Sequence, residues 1–305
     1  MKQFLTRLGL LAFLAILLNA CKKSDSLQLD TINSPLKTVS PAAVTATIAA
    51  DGVCDYNLDE SILSSNGWSK VFEDEFSASL GSWNIWNGGA YNNELQLYQA
   101  GNLLVNSGVL TIKAIKETVS GPTLPSDPTL KSFDFTSGRI ESKANFSAST
   151  STPKVRMSAR IKLPTGYGMW PAFWSYGDPW PTHGEIDIME ARGNEPYQYQ
   201  TAYWYGRRSG VNQASGTEGY ITSSVNLADC WHVYEVVWEK NSLTYYLDGK
   251  AVDVKTGGLI PNFFRKTQRV VLNLAVGGGF FGNPDPSTIQ TGSMQIDWVK
   301  VFTAR

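Results

Sequence analysis

Three carboxylates lie within a six-residue stretch of the chain, at Glu185, Asp187 and Glu190. Apolar residues separate them in the order Glu-Ile-Asp-Ile-Met-Glu, and this alternation predicts a β-strand with one acidic and one apolar face. Strict alternation would place Glu190 on the apolar face, where a lone carboxylate is costly to bury. One extra residue near Ile188 and Met189 would return it to the acidic face, so we predict a β-bulge there.

Neighbouring carboxyl groups of this kind could cleave glycosidic bonds. Three carboxylates on one face repel one another, so at least one should keep its proton near neutral pH. In retaining hydrolysis one carboxylate attacks the sugar carbon, while the other protonates the leaving oxygen and then activates water, with the two groups about 5–5.5 Å apart. The Cα atoms of Glu185 and Glu190 would lie roughly 13 Å apart, so the carboxyl groups meet only on a curved sheet. Spacing alone leaves an acidic edge strand or a cation site as alternatives.

The remaining sequence favours short strands over helices. Gly and Asn interrupt many short apolar runs, and Asp248-Gly249 between two such runs predicts a hairpin turn. Residues 154–163 alternate strictly, which predicts a strand with one buried face and one solvated, mostly cationic face. The residues of that second face are Lys154, Arg156, Ser158, Arg160 and Lys162. Together these patterns indicate a two-sheet sandwich.

Composition excludes some partners. The 305 residues carry a net charge of −1, which indicates neither a nucleic acid nor an anionic membrane surface as a partner. The length allows one large β domain with a full core. Plentiful Gly, Trp and Tyr, with only 17% charged residues, suit a β-rich protein with a polar, aromatic binding cleft.

The first 55 residues divide into two parts. An apolar run at 8–18 follows Lys2 and Arg7, and it is too short for a bilayer, which needs about 20 residues, so 1–20 are predicted to be a signal peptide. Residues 21–55 are rich in Ser, Thr, Ala and Pro, which predicts a flexible tether, and the main domain is expected at 56–305.

Cys54 and Cys230 leave two alternatives open. In an oxidising compartment they could form a disulfide, and Cys230 could equally be a buried free thiol at the start of an apolar strand. His232 follows in that strand and is expected to have a structural role.

The acidic strand resembles the active-site signature of the family-16 glycoside hydrolases, in the laminarinase-like branch that carries the extra bulge residue. The similarity covers about residues 67–305. It includes FEDEF at 72–76, NNELQ at 92–96, SGRIE at 137–141, LPTG at 163–166, WPAFW at 170–174, LNLAVGG at 272–278 and IDWVKV at 296–301. Several ordered blocks at compatible spacing are far more specific than any one of them.

The resemblance implies a fold, a reaction and a set of site residues. It implies an all-β, two-sheet β-jelly-roll sandwich with a concave substrate cleft. Glu185 would be the nucleophile, Asp187 its supporting acid and Glu190 the general acid/base of an endo-acting, retaining β-glucanase. The enzyme would cut β-1,3 or mixed β-1,3/1,4-glucan as a monomer without a catalytic cofactor. The expected substrate-binding residues are Asn92, Arg139, Glu141, Trp170, Trp174, His183, Trp204 and Asn273.

The assignment of two of these residues to substrate binding rests on other arguments. His183 is included because it lies two residues before Glu185, which would place it on the same strand face. Trp204 lies in the stretch 201–206, which lacks a histidine that laminarinases commonly have there. Trp204 or Tyr205 could take over a glucose contact, so linkage specificity stays open. The same fold acting on a marine galactan such as agarose or carrageenan, and a non-catalytic glucan-binding surface lipoprotein, are the alternatives.

Two further expectations follow from resemblance. Glu75, Gly101 and Asp297 resemble positions that hold a structural Ca²⁺ in many family members. Leu18-Asn19-Ala20-Cys21 resembles the lipobox of bacterial lipoproteins, which implies cleavage before Cys21 and its acylation. The protein would then be held in the bacterial cell envelope by its lipid anchor alone; an ordinary signal peptide is the alternative.

Overall fold

The computed structural model describes residues 48–209 and 214–305. The predicted signal peptide, the lipidation site Cys21 and residues 21–47 of the predicted tether lie outside the described residues. Within the described part of the chain, no helix has the length and apolar character needed to cross a membrane.

The described residues form mostly β-strands, because short alternating segments are separated by Gly, Asn and Pro turns. In chain order the strands are β1 (Ile48–Ala50), β2 (Ser69–Asp74), β3 (Trp83–Ile85), β4 (Gln96–Tyr98), β5 (Leu103–Asn106), β6 (Val109–Leu124), β7 (Asp127–Ser137), β8 (Arg139–Ser142), β9 (Lys154–Lys162), β10 (Met169–Tyr176), β11 (Glu185–Ala191), β12 (Gln198–Tyr205), β13 (Ser215–Ser223), β14 (His232–Glu239), β15 (Ser242–Leu247), β16 (Lys250–Thr256), β17 (Arg269–Val276) and β18 (Gly292–Ala304). The helical elements are α1 (Glu60–Ser65) and four 3-10 turns at Ala100–Asn102, Ile260–Asn262, Gly279–Phe281 and Pro286–Thr288.

These strands form two sheets. The first has eight strands in the order β1-β13-β12-β11-β10-β17-β8-β3. The second has ten strands: eight follow the order β16-β15-β14-β9-β18-β6-β7-β4, and in addition β2 pairs with β18 and β5 pairs with β6. Pairing is antiparallel except for β1 with β13 and β4 with β7. The predicted all-β, two-sheet sandwich is therefore confirmed.

The core lies between the two sheets, and β11 contributes its apolar residues to it. Ile186, Ile188 and Met189 are buried there, together with Met157 of β9 and Trp238 of β14. Burying one such aliphatic side chain stabilises the fold by about 1.5–3 kcal/mol. The apolar residues of β11 thus fix the strand in place and direct its carboxylates to the opposite face of the sheet.

The prediction of a solvated outer face on β9 is wrong at the middle of the strand. Arg156 and Ser158 are buried, and both bind the carboxylate of Glu235 on β14, with distances of 2.6 and 2.7 Å from the guanidinium and 2.6 Å from the hydroxyl. Arg160 donates from Nε to the carbonyl of Tyr56 at 2.8 Å. The N-terminal part of the domain covers this face, and a charge buried in that way requires a paired partner.

The expected domain boundary between residues 55 and 56 is also wrong. Ile48 already belongs to a strand that pairs with β13, and Cys54 forms a disulfide with Cys230, with their Cα atoms 5.4 Å apart. Of the two alternatives for Cys230, the disulfide is therefore the one formed. His232 is fully buried beside it, and its Nδ1 lies 2.7 Å from Asp248 Oδ2, a contact that fits a structural role.

Candidate active site

The acidic strand β11 contains the predicted β-bulge. Asp187 pairs with Trp174 and Met189 pairs with Phe173, so Ile188 is an extra residue relative to β10. The register to β12 shifts across the same interval. This extra residue changes the side to which the rest of the strand points, as the cost of burying a carboxylate in the core requires.

The three carboxylates share one face of the eight-stranded sheet. Glu185, Asp187 and Glu190 pair with Tyr176, Trp174 and Ala172, which are alternate residues of β10 and therefore point to one side. The face opposite the core thus brings together the two glutamates and the aspartate, as the sequence predicted. All three residues are buried, with exposed fractions of 6%, 2% and 7%.

Each carboxylate accepts a hydrogen bond from a different tryptophan. An indole N–H orients a carboxylate without cancelling its charge, and a bond to an ionised acceptor is stronger than one between neutral groups. The three bonds run from Trp180 Nε1 to Glu185 Oε2 at 2.6 Å, from Trp204 Nε1 to Asp187 Oδ2 at 2.9 Å and from Trp170 Nε1 to Glu190 Oε1 at 3.1 Å.

Three different elements supply these tryptophans. Trp170 lies at the start of β10, on the carboxylate face, and Trp204 lies on β12 directly opposite Glu185. Trp180 belongs to the turn of residues 177–184 that joins β10 to β11. Gly184 ends this turn with φ +80°, and a Cβ there would lie 2.6 Å from the ring of Phe263, so the backbone conformation and the close approach both require glycine.

A buried ion pair extends the polar face onto β8. Arg139 donates from Nε and Nη2 to Glu141 Oε1 at 3.0 and 2.6 Å, and its guanidinium carbon lies 4.0 Å from the ring centroid of Trp86. Glu141 also accepts from the Tyr176 hydroxyl at 3.1 Å and from Arg269 Nη1 at 3.3 Å. Burial raises the pKa of Tyr176, so its hydroxyl remains a donor. Both predicted residues therefore lie on the face that carries the catalytic candidates.

An amide network joins two more of the predicted substrate-binding residues. Asn273 accepts at Oδ1 from Trp174 Nε1 at 2.7 Å and donates from Nδ2 to the Tyr98 hydroxyl at 3.0 Å. That hydroxyl donates to Glu94 Oε2 at 3.2 Å, and the side chain of Asn92 also hydrogen-bonds to Glu94. Burial raises the pKa of Glu94. Glu94 thus links Asn92 to Asn273.

His183 precedes β11, so the strand alternation that led to its inclusion does not reach it, and its contact with substrate stays a prediction. The strand begins at Glu185, and the positive φ of Gly184 interrupts the alternation on which the prediction rested. The His183 side chain packs against Gly177, and its carbonyl accepts from Gln268. Burial, together with the charge of Lys266, lowers the pKa of His183, which favours its neutral form.

The three predicted calcium ligands already have other partners or other roles. Glu75 Oε1 lies 3.2 Å from Lys300 Nζ, and Asp297 Oδ2 lies 2.7 Å from Arg160 Nη1, while Gly101 lies in a 3-10 turn. Each carboxylate thus lies within ion-pair distance of a cationic side chain, whereas a calcium ion would need oxygen ligands.

Among residues 48–209 and 214–305, one group of three His, Cys, Asp or Glu side chains is close enough to share a cation. It consists of Cys54, Cys230 and His232. The disulfide occupies both of its sulfur atoms. The structural calcium therefore stays a prediction.

Sequence reasoning missed several residues of this face. Tyr176 follows Trp174 by two positions on a strand, so the period of two would have found it. Glu94 lies in a block that the resemblance included, and Tyr98 follows shortly after it. Nothing in the sequence pattern shows that the Tyr98 hydroxyl binds the Glu94 carboxylate. Trp180 carries no periodic signal, because a turn places it against Glu185.

A β-sandwich that holds buried carboxylates on one face of a central strand, among tryptophans and amides, is the framework of a glycoside hydrolase. Residues 85–300 match the model of the glycosyl hydrolases family 16. This match spans more than half of the chain, so the chain belongs to family 16. The predicted jelly-roll fold and the enzyme class are both confirmed.

Two relatives support the membership of this chain in family 16. Glucan endo-1,3-beta-glucosidase A1 of Niallia circulans is 34% identical over 267 residues, which are 77% of this chain and 38% of that protein. Glucan endo-1,3-beta-glucosidase of Cryptopygus antarcticus is 31% identical over 265 residues, or 77% of this chain and 92% of that protein. The chain therefore spans well under half of the first relative and nearly all of the second.

A solved structure agrees with these relatives. The endo-beta-1,3-glucanase from Pyrococcus furiosus superimposes with a TM-score of 0.65 at 32% identity, covering 78% of this chain and 95% of that one. Its fold and the fold described above are thus the same over most of the domain.

Proposed function

We propose that this family-16 glycoside hydrolase is an endo-acting β-glucanase that cuts β-1,3 linkages, in β-1,3-glucan or in mixed β-1,3/1,4-glucan, with retained stereochemistry. The observation that carries the proposal is the shared face of Glu185, Asp187 and Glu190, each held by an indole N–H. The names of the two relatives and of the solved structure support β-1,3-glucan as the substrate class.

The proposed reaction uses two displacements. Glu185 attacks the anomeric carbon and forms a glycosyl ester, while Glu190 gives its proton to the departing glycosidic oxygen. Glu190 then takes a proton from water, and the resulting hydroxide breaks the ester and releases the sugar and the free Glu185 carboxylate. Asp187, between the two on the same face, orients the nucleophile. These steps need carboxyl groups and water and use no cofactor.

The polar neighbours give a basis for sugar recognition. Trp174 offers an indole to the same face, and Arg139, Glu141 and Asn273 are buried polar groups next to it. Aromatic faces stack on sugar rings, and fixed amide and guanidinium groups bind hydroxyls. In this proposal the glucan crosses the sheet over these residues as it approaches Glu185.

A substrate panel tests the proposal. Reducing-end release is measured on laminarin, barley β-glucan, lichenan, agarose and carrageenan, and we expect turnover on the glucans. Turnover on a galactan alone would make the substrate class wrong, and glucan binding without turnover would indicate a binding protein.

The stereochemistry and the roles are tested separately. Proton NMR of the first product should show the β-anomer before mutarotation, whereas an α-anomer would contradict retention. Glu185→Gln should abolish turnover but keep glucan binding.

We also propose that Cys21 carries a lipid that anchors the protein to the bacterial cell envelope. The catalytic domain would be a monomer, with β-glucan and not a nucleic acid as its partner. Cys21→Ser should then release the protein from the membrane fraction, and metabolic labelling with a fatty acid should mark the wild type alone. Membrane association that survives the substitution would contradict the anchor.

A further inference from the structure

A second set of contacts lies behind the hydrogen bond between Trp170 and Glu190. The indole of Trp170 stacks on the ring of Phe280, with centroids 4.5 Å apart and an angle of 16° between the planes. Trp170 is only 7% exposed, and the ring of the half-buried Phe280 covers part of its surface. Stacked aromatic pairs of this kind contribute about 0.5–1.5 kcal/mol beyond the burial of their area.

Arg192 fixes Phe280 in two ways. Its guanidinium donates from Nε and Nη2 to the carbonyl oxygen of Phe280, at 3.2 and 3.0 Å. Its guanidinium carbon also lies 3.9 Å from the centroid of the same ring, which is a cation–π contact. The position of the ring thus depends on one arginine through both main chain and side chain.

These contacts close a circuit on the acidic strand. Arg192 follows Glu190 by two residues, immediately after β11 ends at Ala191. From Glu190 the circuit runs through Trp170 and Phe280 to Arg192, and then returns along the main chain to Glu190. A group held at both ends of such a circuit has fewer orientations than a group held by one hydrogen bond.

We infer that Phe280, fixed by Arg192, is a positioning residue for Glu190 and acts through Trp170. The inference rests on the proposed role of Glu190 as general acid/base, and it adds a residue that the three-carboxylate pattern does not contain. In this inference Phe280 acts on the carboxylate through the indole and not by direct contact. Its flat ring keeps the indole N–H directed at Oε1 and keeps the carboxyl group aimed at the leaving oxygen.

The test depends on how much acid assistance a leaving group needs. Laminarin has a poor alkoxide leaving group and requires a proton from Glu190, whereas a dinitrophenyl glycoside of a β-1,3-linked glucose oligosaccharide leaves without one. Well-placed general acids contribute roughly 10²–10⁴-fold. We expect Phe280→Ala to lower kcat/KM on laminarin by about tenfold or more, and to change kcat/KM on the dinitrophenyl substrate by less than about twofold.

Matched variants separate positioning from loss of the fold. Phe281→Ala removes a neighbouring ring that meets Phe280 edge-on at 5.9 Å and lies 5.9 Å from the Arg192 guanidinium but does not stack on Trp170, so its laminarin-selective loss should be much smaller than that of Phe280→Ala. Phe280→Tyr keeps a flat ring and should restore most of the laminarin activity. Arg192→Lys keeps the charge but loses the paired donors, so it should show a smaller loss that is again selective for laminarin. This variant tests the inference even if Phe280→Ala does not fold.

Equal losses on both substrates for Phe280→Ala and Arg192→Lys would overturn the inference, as would equal effects of Phe280→Ala and Phe281→Ala. Glu190→Gln serves as the reference for missing acid assistance, and it should lose far more activity on laminarin than on the dinitrophenyl substrate. If Glu190→Gln shows no such dependence on the leaving group, the proposed role of Glu190 fails. If Glu190→Gln shows this dependence on the leaving group and Phe280→Ala does not, the inference about Phe280 fails and the proposed role of Glu190 stands.

Discussion

Removing the Cys54–Cys230 disulfide should destabilise the domain by a predictable amount. The two cysteines are 176 residues apart in the sequence, so the bond closes a very long loop in the unfolded chain. The chain-entropy relation gives about 5 kcal/mol for a loop of that size. For a domain of this length, such a loss corresponds to a fall in Tm of roughly 10 °C or more. The change to make is Cys54→Ser with Cys230→Ser.

The assay is thermal unfolding followed by circular dichroism, with and without a phosphine reductant. Reductant should lower the Tm of the wild type toward that of the double variant and leave the variant unchanged. Activity at low temperature should persist, because β1 and β14 carry no residue of the acidic face. A Tm difference under about 2 °C, or a variant that also responds to the reductant, would refute the reasoning.

Three further changes should each give a measurable result. Glu235→Gln leaves the buried Arg156 without its charged partner, so the free energy of unfolding from denaturant titration should fall by about 3–5 kcal/mol, and an unchanged midpoint would contradict this. Burial raises the pKa of Glu94, so the stability that its protonated form gives is present at acid pH and lost as the pH rises through the raised value. Glu94→Gln should thus gain Tm over the wild type across that window, whereas a constant difference would speak against it. Asn273→Ala removes the acceptor for an indole N–H, so KM on laminarin should rise about tenfold with little change in kcat; a selective fall in kcat would be the contrary result.

The acidic strand could be predicted from local sequence because its constraint is local. Alternation assigns Ile186 to the core and Glu185 to the other face, and the cost of burying Glu190 among apolar residues requires one inserted residue. The bulge at Ile188 is the observed solution. Period and burial cost together were enough here, and no knowledge of distant segments was needed.

Local sequence fails where a turn or a distant segment decides the outcome. His183 has the right spacing from Glu185, but Gly184 adopts a positive φ between them and ends the alternation. The polar face of β9 looks solvated, yet Glu235 and a segment about a hundred residues earlier in the chain bury Arg156 and bind Arg160. The period of two says which residues share a face, but only the tertiary fold says what covers that face.

The prediction of the domain boundary is wrong for a related reason. Residues near Ile48 have little apolar surface of their own and look like a tether, so they have no local reason to fold. They are held by pairing with β13 and by a disulfide to Cys230, and both partners lie far away in the sequence. The choice between a disulfide and a free thiol at Cys230 was open for the same reason.

The central claim is that Glu185 forms a covalent bond to the sugar, while Glu190 donates a proton to the leaving group and then accepts one from water. A 2-deoxy-2-fluoro glycoside of a β-1,3-linked glucose oligosaccharide with a dinitrophenyl leaving group should form a glycosyl-enzyme that hydrolyses slowly, because the fluorine destabilises the second transition state. Peptide mass mapping of the trapped protein should place the sugar on Glu185. A sugar found on Asp187 or Glu190, or the absence of any adduct while laminarin is still hydrolysed, would contradict the account.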